Sequence, residues 1–175
     1  MNIFNRTDLA KYFKELGFKV GAEIGVDAGA YSEILCKENP GLKLYCIDYW
    51  GLKRGGLGNH RARVYLKAKK SLSLYNATLI QKYSLDAVND FEDGSLDFVY
   101  LDAGHFFNEV IQDLIRWIKK VRKGGIVSGH DYVPSDAKRV ATAVDAYVKA
   151  HNLRLCTTKD PNEPASWWFL KKWNT

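Results

Sequence analysis

The sequence predicts an α/β fold: a mostly parallel sheet with helices on both faces. Three observations predict it. Short apolar runs that end in glycine or an acid alternate with amphipathic stretches of helical spacing. The first such run is followed by a glycine turn, a helix, a second apolar run and an acid, Asp48. The last two apolar runs, Arg154–Thr158 and Ser166–Lys171, flank a proline-bearing loop and read as an antiparallel pair.

Thr7 is positioned to cap a leading helix over Asp8–Leu16, with Leu9, Tyr12, Phe13 and Leu16 on one face and Gly17 ending it. The first strand is expected over about Lys19–Val26, a helix over Tyr31–Glu38, and the second strand over Lys43–Asp48. Tyr49–Gly58 is rich in aromatics and glycine. It reads equally as a surface loop or as a lid beyond the carboxyl end of a strand. Asn59–Leu74 is expected to be helical, Ala77–Lys82 a third strand, Ser84–Phe91 a short helix and Ser95–Asp102 a fourth strand. Asn108–Arg122 is the clearest amphipathic helix. Val110, Leu114, Trp117, Ile118 and Val121 recur at helical spacing, and Gly124-Gly125 is expected to stop it. Ile126–Ser128 is a buried fifth strand, and Asp136–His151 a further helix.

With 175 residues the chain has room for one domain, 1–175, of which 1–18 form the leading helix and 19–175 the core. A hydrophobic share of 46% beside 26% charged residues is that of an ordinary globular protein. No apolar run approaches a membrane span. Cys36, Cys46 and Cys156 are too scattered for a metal knuckle and odd in number, which favours a reducing, cytoplasmic setting. The net charge of +6 owes much to Lys53–Lys70. That segment reads as a solvated helix face or as a patch for an anionic partner.

A strand, a glycine turn, a helix, a strand and an acid about twenty residues on form the opening unit of a nucleotide-binding α/β fold. The glycines fall at Gly21, Gly25 and Gly29, which is not the dinucleotide spacing, and no phosphate loop is present. Glu23 and Asp27 put negative charge at the turn. That repels phosphate and suits a ligand with an amine and a sulfonium.

Here the run Glu23-Ile24-Gly25-Val26-Asp27-Ala28-Gly29-Ala30-Tyr31-Ser32 resembles the class I S-adenosylmethionine-dependent methyltransferases. The branch it resembles also carries D-x-x-H and H-D-Y, matched by Asp102–His105 and by His130-Asp131-Tyr132. The resemblance implies a Rossmann-like, seven-stranded sheet of order 3-2-1-4-5-7-6. It implies S-adenosylmethionine as cofactor, with Glu23 and Asp27 at the methionine amine and Gly25, Gly29, Tyr31 and Ser32 shaping the turn. The ribose falls on Asp48, beside Tyr49, the adenine near Ser84, and Asp102 borders the donor. His105 ranks first as the base that deprotonates the acceptor, with His130 its rival and Asp102 and Asp131 beside them. Some members hold a divalent cation such as Mg2+, here between Asp102 and Asp131. His130 stands where a further acid would be expected, and metal and metal-free readings stay open. The implied activity is methyl transfer to an oxygen nucleophile of a small molecule or sugar, with no membrane and with a second subunit as one source of the acceptor wall. A nucleic-acid or protein methyltransferase using the basic 53–70 segment is the alternative, although no D/N-P-P-Y/F motif occurs. A donor-binding module without turnover and a nicotinamide oxidoreductase are the other rivals.

Overall fold

The computed structural model describes residues 3–51, 59–135 and 139–173. Its elements run α1 (Arg6–Glu15), β1 (Val20–Ile24), α2 (Ala30–Glu38), β2 (Lys43–Asp48), α3 (Asn59–Leu72), β3 (Ala77–Gln81), α4 (Ser84–Ala87), β4 (Leu96–Leu101), α5 (Phe107–Lys120), β5 (Val121–Tyr132), α6 (Val140–Ala150), β6 (Cys156–Thr157) and β7 (Ala165–Leu170). A 3-10 turn, Val88–Asp90, extends α4.

All seven strands join one sheet in the order β3-β2-β1-β4-β5-β7-β6. β1, β2, β3, β4 and β5 pair in parallel, while β7 runs antiparallel to both β5 and β6. The expected architecture and strand order are therefore observed. Each face of the sheet carries its own core. On one, Leu9, Phe13, Tyr31, Leu35, Ala68 and Leu72 bring α1, α2 and α3 onto the strands. On the other, Val110, Leu114, Trp117, Val144 and Tyr147 do so for α5 and α6. Strands covered on both faces bury side chains of both parities. This is why β4 is almost continuously apolar, as in its Phe98–Leu101 stretch.

Several boundaries depart from the sequence reading. The cap of α1 is Asn5, whose side chain accepts from the Asp8 N–H at 3.0 Å; Thr7 lies inside the helix. The helix of α5 stops at Lys120 rather than at the glycine pair, because Val121 already pairs with Leu96. Gly124, at φ +78°, then lies beside the register shift between Leu96 and Phe98. Val121 satisfies helical spacing and strand pairing alike, so periodicity cannot separate them. The start of the helix expected at Asp136 falls on residues 136–138, outside the described residues, and α6 is observed from Val140.

Candidate active site

The parallel strands end on one edge of the sheet, and the register sets their last residues side by side. Ile24 pairs with Ile47 and with Leu101, and Leu101 pairs with Gly129. Whatever follows those strands must converge, as expected beyond the carboxyl ends of an open α/β sheet. A cavity of about 790 Å³ occupies this edge, a volume ordinary for a small-molecule or cofactor site.

Gly25 makes its first wall. It holds φ +92°, and a Cβ there would come within 2.1 Å of the Asp102 carbonyl oxygen. Only glycine allows the turn to lie directly on the exit of β4. Glu23, 1% exposed, lines the cavity and accepts a hydrogen bond from the Ser32 hydroxyl. Burial pushes its carboxyl up to about 8, against the Ser32 bond, which lowers it. Ser32 and Gly29 are not among the cavity-lining residues. Ser32 acts on Glu23 from behind, and Gly29 begins α2 at φ +83°, close to Ala68 of α3. Tyr31 lines the cavity, donates its hydroxyl to the Arg6 carbonyl at 3.1 Å and packs on Tyr100 with ring centroids 4.3 Å apart.

Asp48 is an organiser of loops. One carboxylate oxygen accepts from the Asp27 N–H and the other from the Trp50 N–H, both at 2.9 Å. The Trp50 indole N–H donates to the Asp27 carbonyl at 2.8 Å, so the turns after β1 and β2 are tied together. Trp50 is 1% exposed and anchors the segment read from sequence as a loop or lid; its remainder, residues 52–58, lies outside the described residues. Each Asp48 oxygen keeps a second acceptor position for a ligand. Tyr49 stacks on Tyr83 at 5.1 Å and 8°, with the Arg61 guanidinium 4.9 Å over Tyr49, forming an aromatic rim across the ends of β2 and β3.

Ser84 is also committed differently from expectation. It opens α4 as a helical residue, with Tyr83 in the cap position. Its hydroxyl donates to Asp113 and accepts from the Trp117 indole N–H at 2.8 Å. The Ser84 proton is therefore already used within the protein, and Ser84 and Asp113 together line this wall of the cavity. Burial pushes Asp113 up to about 6.

At the far end of the cavity stands the His105 cluster. His105 Nε2 lies 3.1 Å from one Asp131 oxygen and 3.9 Å from Asp102. Asp102 and then Asp131 raise its pKa above the ordinary histidine value, against partial burial. Asp102 is itself raised by burial, while the His130 hydrogen bond is foremost in lowering Asp131. His130 Nδ1 sits 3.1 Å from the other Asp131 oxygen, and its buried Nε2 has no hydrogen-bond partner among the described residues. His130 lines a separate small void and not the main cavity. The two histidines thus have different settings: His105, with 43% of its side chain exposed, faces the cavity, and His130 backs Asp131.

Sequence reasoning missed Arg6 and Asp113. Arg6 enters from α1 with its guanidinium 5.6 Å over Tyr31, paired to Glu163 at 3.4 Å. No local pattern announces it. Asp113 did carry a signal: it interrupts the apolar stripe of α5 between Val110 and Trp117, and a buried acid requires a partner.

Residues 22–132 match the profile of a family described as a methyltransferase domain. The chain belongs to this methyltransferase-domain family. Among curated proteins, the uncharacterized protein y4gI of Sinorhizobium fredii is 23% identical over 114 residues, which is 65% of this chain and 12% of that protein. This domain thus spans only a small part of the curated relative's length. Among solved structures, an O-methyltransferase from Bacillus cereus in complex with S-adenosylhomocysteine superposes with TM-score 0.69 at 15% identity, covering 95% of this chain and 80% of that one. TomG from Streptomyces achromogenes, an O-methyltransferase of tomaymycin synthesis in complex with S-adenosylmethionine, gives 0.70 at 13% identity over 96% and 79%. At such identities the likeness is one of fold. Among the described residues no helix is long and apolar enough to cross a membrane.

Proposed function

We propose that residues 1–175 form one S-adenosylmethionine-dependent methyltransferase domain that methylates an oxygen nucleophile of a small molecule or sugar. One observation carries this reading: one cavity holds the Glu23 and Asp48 carboxyl groups beside the Gly25 turn and, at its other end, the His105 imidazole. Glu23 and Asp27 suit the methionine amine, Asp48 the ribose hydroxyls, and Tyr49, Tyr83 and the Ser84–Asp113 wall the adenine. Two solved structures of this fold are complexes with S-adenosylhomocysteine and S-adenosylmethionine, which supports a ligand of this class. When bound, the donor supplies an electrophilic methyl carbon and leaves as S-adenosylhomocysteine. The chain's own task is to align the acceptor oxygen and take its proton. The His105 imidazole is the base, and the Asp102 and Asp131 carboxylates, both beside its Nε2, stabilise the imidazolium that results.

The cluster also bears on a cation. Asp102, His105 and Asp131 bring ligand atoms within 4.8 Å of one another. Two carboxylates and an imidazole make a mixed oxygen and nitrogen donor set, softer than the all-oxygen set that magnesium prefers. With an ion in place these residues would hold it, His105 would serve as a ligand instead of the base, and the ion would lower the pKa of the acceptor hydroxyl. We place the domain in the cytoplasm, consistent with its three free cysteines. The exposed Arg63, Lys67, Lys69 and Lys70 of α3 are read as a solvated face rather than a nucleic-acid surface.

Calorimetric titration of S-adenosylhomocysteine and NAD(H) side by side tests the donor. Transfer of a labelled methyl group to hydroxylated small molecules, sugars and RNA tests the acceptor class. Heat with NAD(H) alone, or with neither, overturns the reading. Donor binding without transfer, indifferent to His105→Ala, makes the domain a binding module.

A further inference from the structure

Asp113 is the buried acid of α5, 6% exposed and set between Val110 and Trp117 on the apolar side of the helix. A carboxyl in such a place is costly unless it is bonded. Among the described residues its one hydrogen-bond partner is the Ser84 hydroxyl, which donates to Oδ1. The direction of that bond is fixed from behind. The indole N–H of the buried Trp117 can only donate, and it points at the Ser84 oxygen at 2.8 Å. The single proton of Ser84 is therefore turned toward Asp113. This chain of bonds leaves Oδ2 over, on a residue that lines the main cavity. No ion pair of Asp113 occurs among the described residues, and the charged neighbour that acts on it, Glu109, is also an acid. Burial pushes the carboxyl up to about 6, so at pH 8 it is ionised and only accepts.

We infer that Asp113 selects the base of the donor: Oδ2 accepts from the 6-amino group of adenine and rejects a base with a 6-oxo group. An exocyclic amine supplies the N–H that the wall is short of. A carbonyl in its place sets lone pairs against a carboxylate and leaves that buried acceptor without a partner. A site built to bond an N–H rejects the analogue that lacks it far more strongly than an apolar pocket rejects a change of size. Ser84 is a positioning residue here, since its proton holds Oδ1 and leaves Oδ2 to the ligand. Asp86 and Gln112 line the same cavity but are exposed, where water competes for their polar atoms. The arrangement also dictates what Asp113→Asn does. Ser84 still needs an acceptor, so the amide oxygen takes the place of Oδ1 and the amide nitrogen that of Oδ2. The wall then donates where it had accepted.

The base selection rests on the donor reading proposed above, and its test separates the two. Calorimetry at pH 8 compares S-adenosylhomocysteine with S-inosylhomocysteine, which carries oxygen where adenine has its amine. Wild type is expected to bind the adenosyl form at least about tenfold tighter. Asp113→Asn should reverse the order, with the inosyl form the tighter ligand. Adding Ser84→Ala to that variant frees the amide to rotate and should bring the two ligands level. Asp86→Ala should keep the wild-type preference. Equal affinities in wild type, a preference that survives Asp113→Asn, or one that is lost in Asp86→Ala overturns the assignment. Should Asp113→Asn fail to fold, the analogue with hydrogen at C6 decides on wild type: a free carboxylate ranks amino, hydrogen and oxo in that order, and any other order overturns it. Binding of S-adenosylhomocysteine without base preference sinks this inference alone. No binding of it sinks the donor reading, and this with it.

Discussion

Glu23 offers the most direct measurement of how this site is built. Its carboxyl is enclosed, and burial raises its pKa from 4.5 to about 8. Between those values the folded chain keeps a proton on Glu23 that the unfolded chain has shed. Stability from this group is complete below the unfolded value and is lost as pH rises through the folded one. At 1.36 kcal/mol per pKa unit, the loss from pH 5 to pH 8 comes to about 3–4 kcal/mol, a large part of a typical domain's stability. Glu23→Gln keeps the shape and the acceptor for Ser32 but removes the titration. Urea unfolding of both proteins at a series of pH values isolates the effect, since Asp113, also raised by burial, is common to both. The wild type should lose about 3–4 kcal/mol more than the variant across that window. Parallel curves would refute an enclosed, protonated Glu23. The same proton reports the ligand. A methionine amine arriving beside Glu23 stabilises its anion, so S-adenosylhomocysteine binding near pH 7 should release close to one proton, and none in Glu23→Gln. Calorimetry in buffers of different ionisation heat counts it.

Two other perturbations probe the remaining walls. Asp48→Ala removes the acceptor of the Asp27 and Trp50 amides and, on the proposed function, the ribose partner; donor affinity should fall by about 1–3 kcal/mol, or roughly 5- to 150-fold, and the melting temperature should drop with it. A lower melting temperature with unchanged donor affinity would remove Asp48 from the ribose and leave it a loop tie. With a chelator present, the His105 imidazole should titrate by NMR above its ordinary value, because Asp102 and Asp131 favour its charged form. Asp131→Asn should bring it down, and an imidazole indifferent to that change would break the proposed base cluster.

The fold was largely legible because its signals are local. Apolar runs of strand length, helical spacing between them, and glycines or acids at the strand ends each follow from neighbours in sequence. This wall of the cavity was legible for the same reason, since Glu23, Gly25 and Asp48 sit at the ends of adjacent strands. What escaped depends on partners far along the chain. The partners of the Ser84 hydroxyl, Asp113 and Trp117, are delivered by α5 and could not be read from its neighbours in sequence. Trp50 looked like part of a loop, yet its indole closes on Asp27, across the turn after β1. Arg6 belongs to a helix ahead of the nucleotide-binding unit, and only packing of α1 on α2 and its pair with Glu163 bring it to the cavity.

The two histidines show how backbone conformation divides residues of one type between roles. Side chains alternate along a regular strand, so adjacent His130 and Asp131 should point to opposite faces. The register of β5 against β7 shifts between Gly129 and Tyr132, and Asp131 takes φ +54°. For a residue other than glycine this conformation costs on the order of 1 kcal/mol or more. What it secures is an Asp131 whose two oxygens meet two imidazoles, His130 behind and His105 in front, both at 3.1 Å. A regular strand in place of this irregularity would turn the carboxylate away from one of them. His105 would then lose its nearer carboxylate, and with it part of the electrostatic support that favours its protonated form. The irregularity is therefore best understood as the element that converts a neighbouring His-Asp pair in sequence into a carboxylate held between two rings in space.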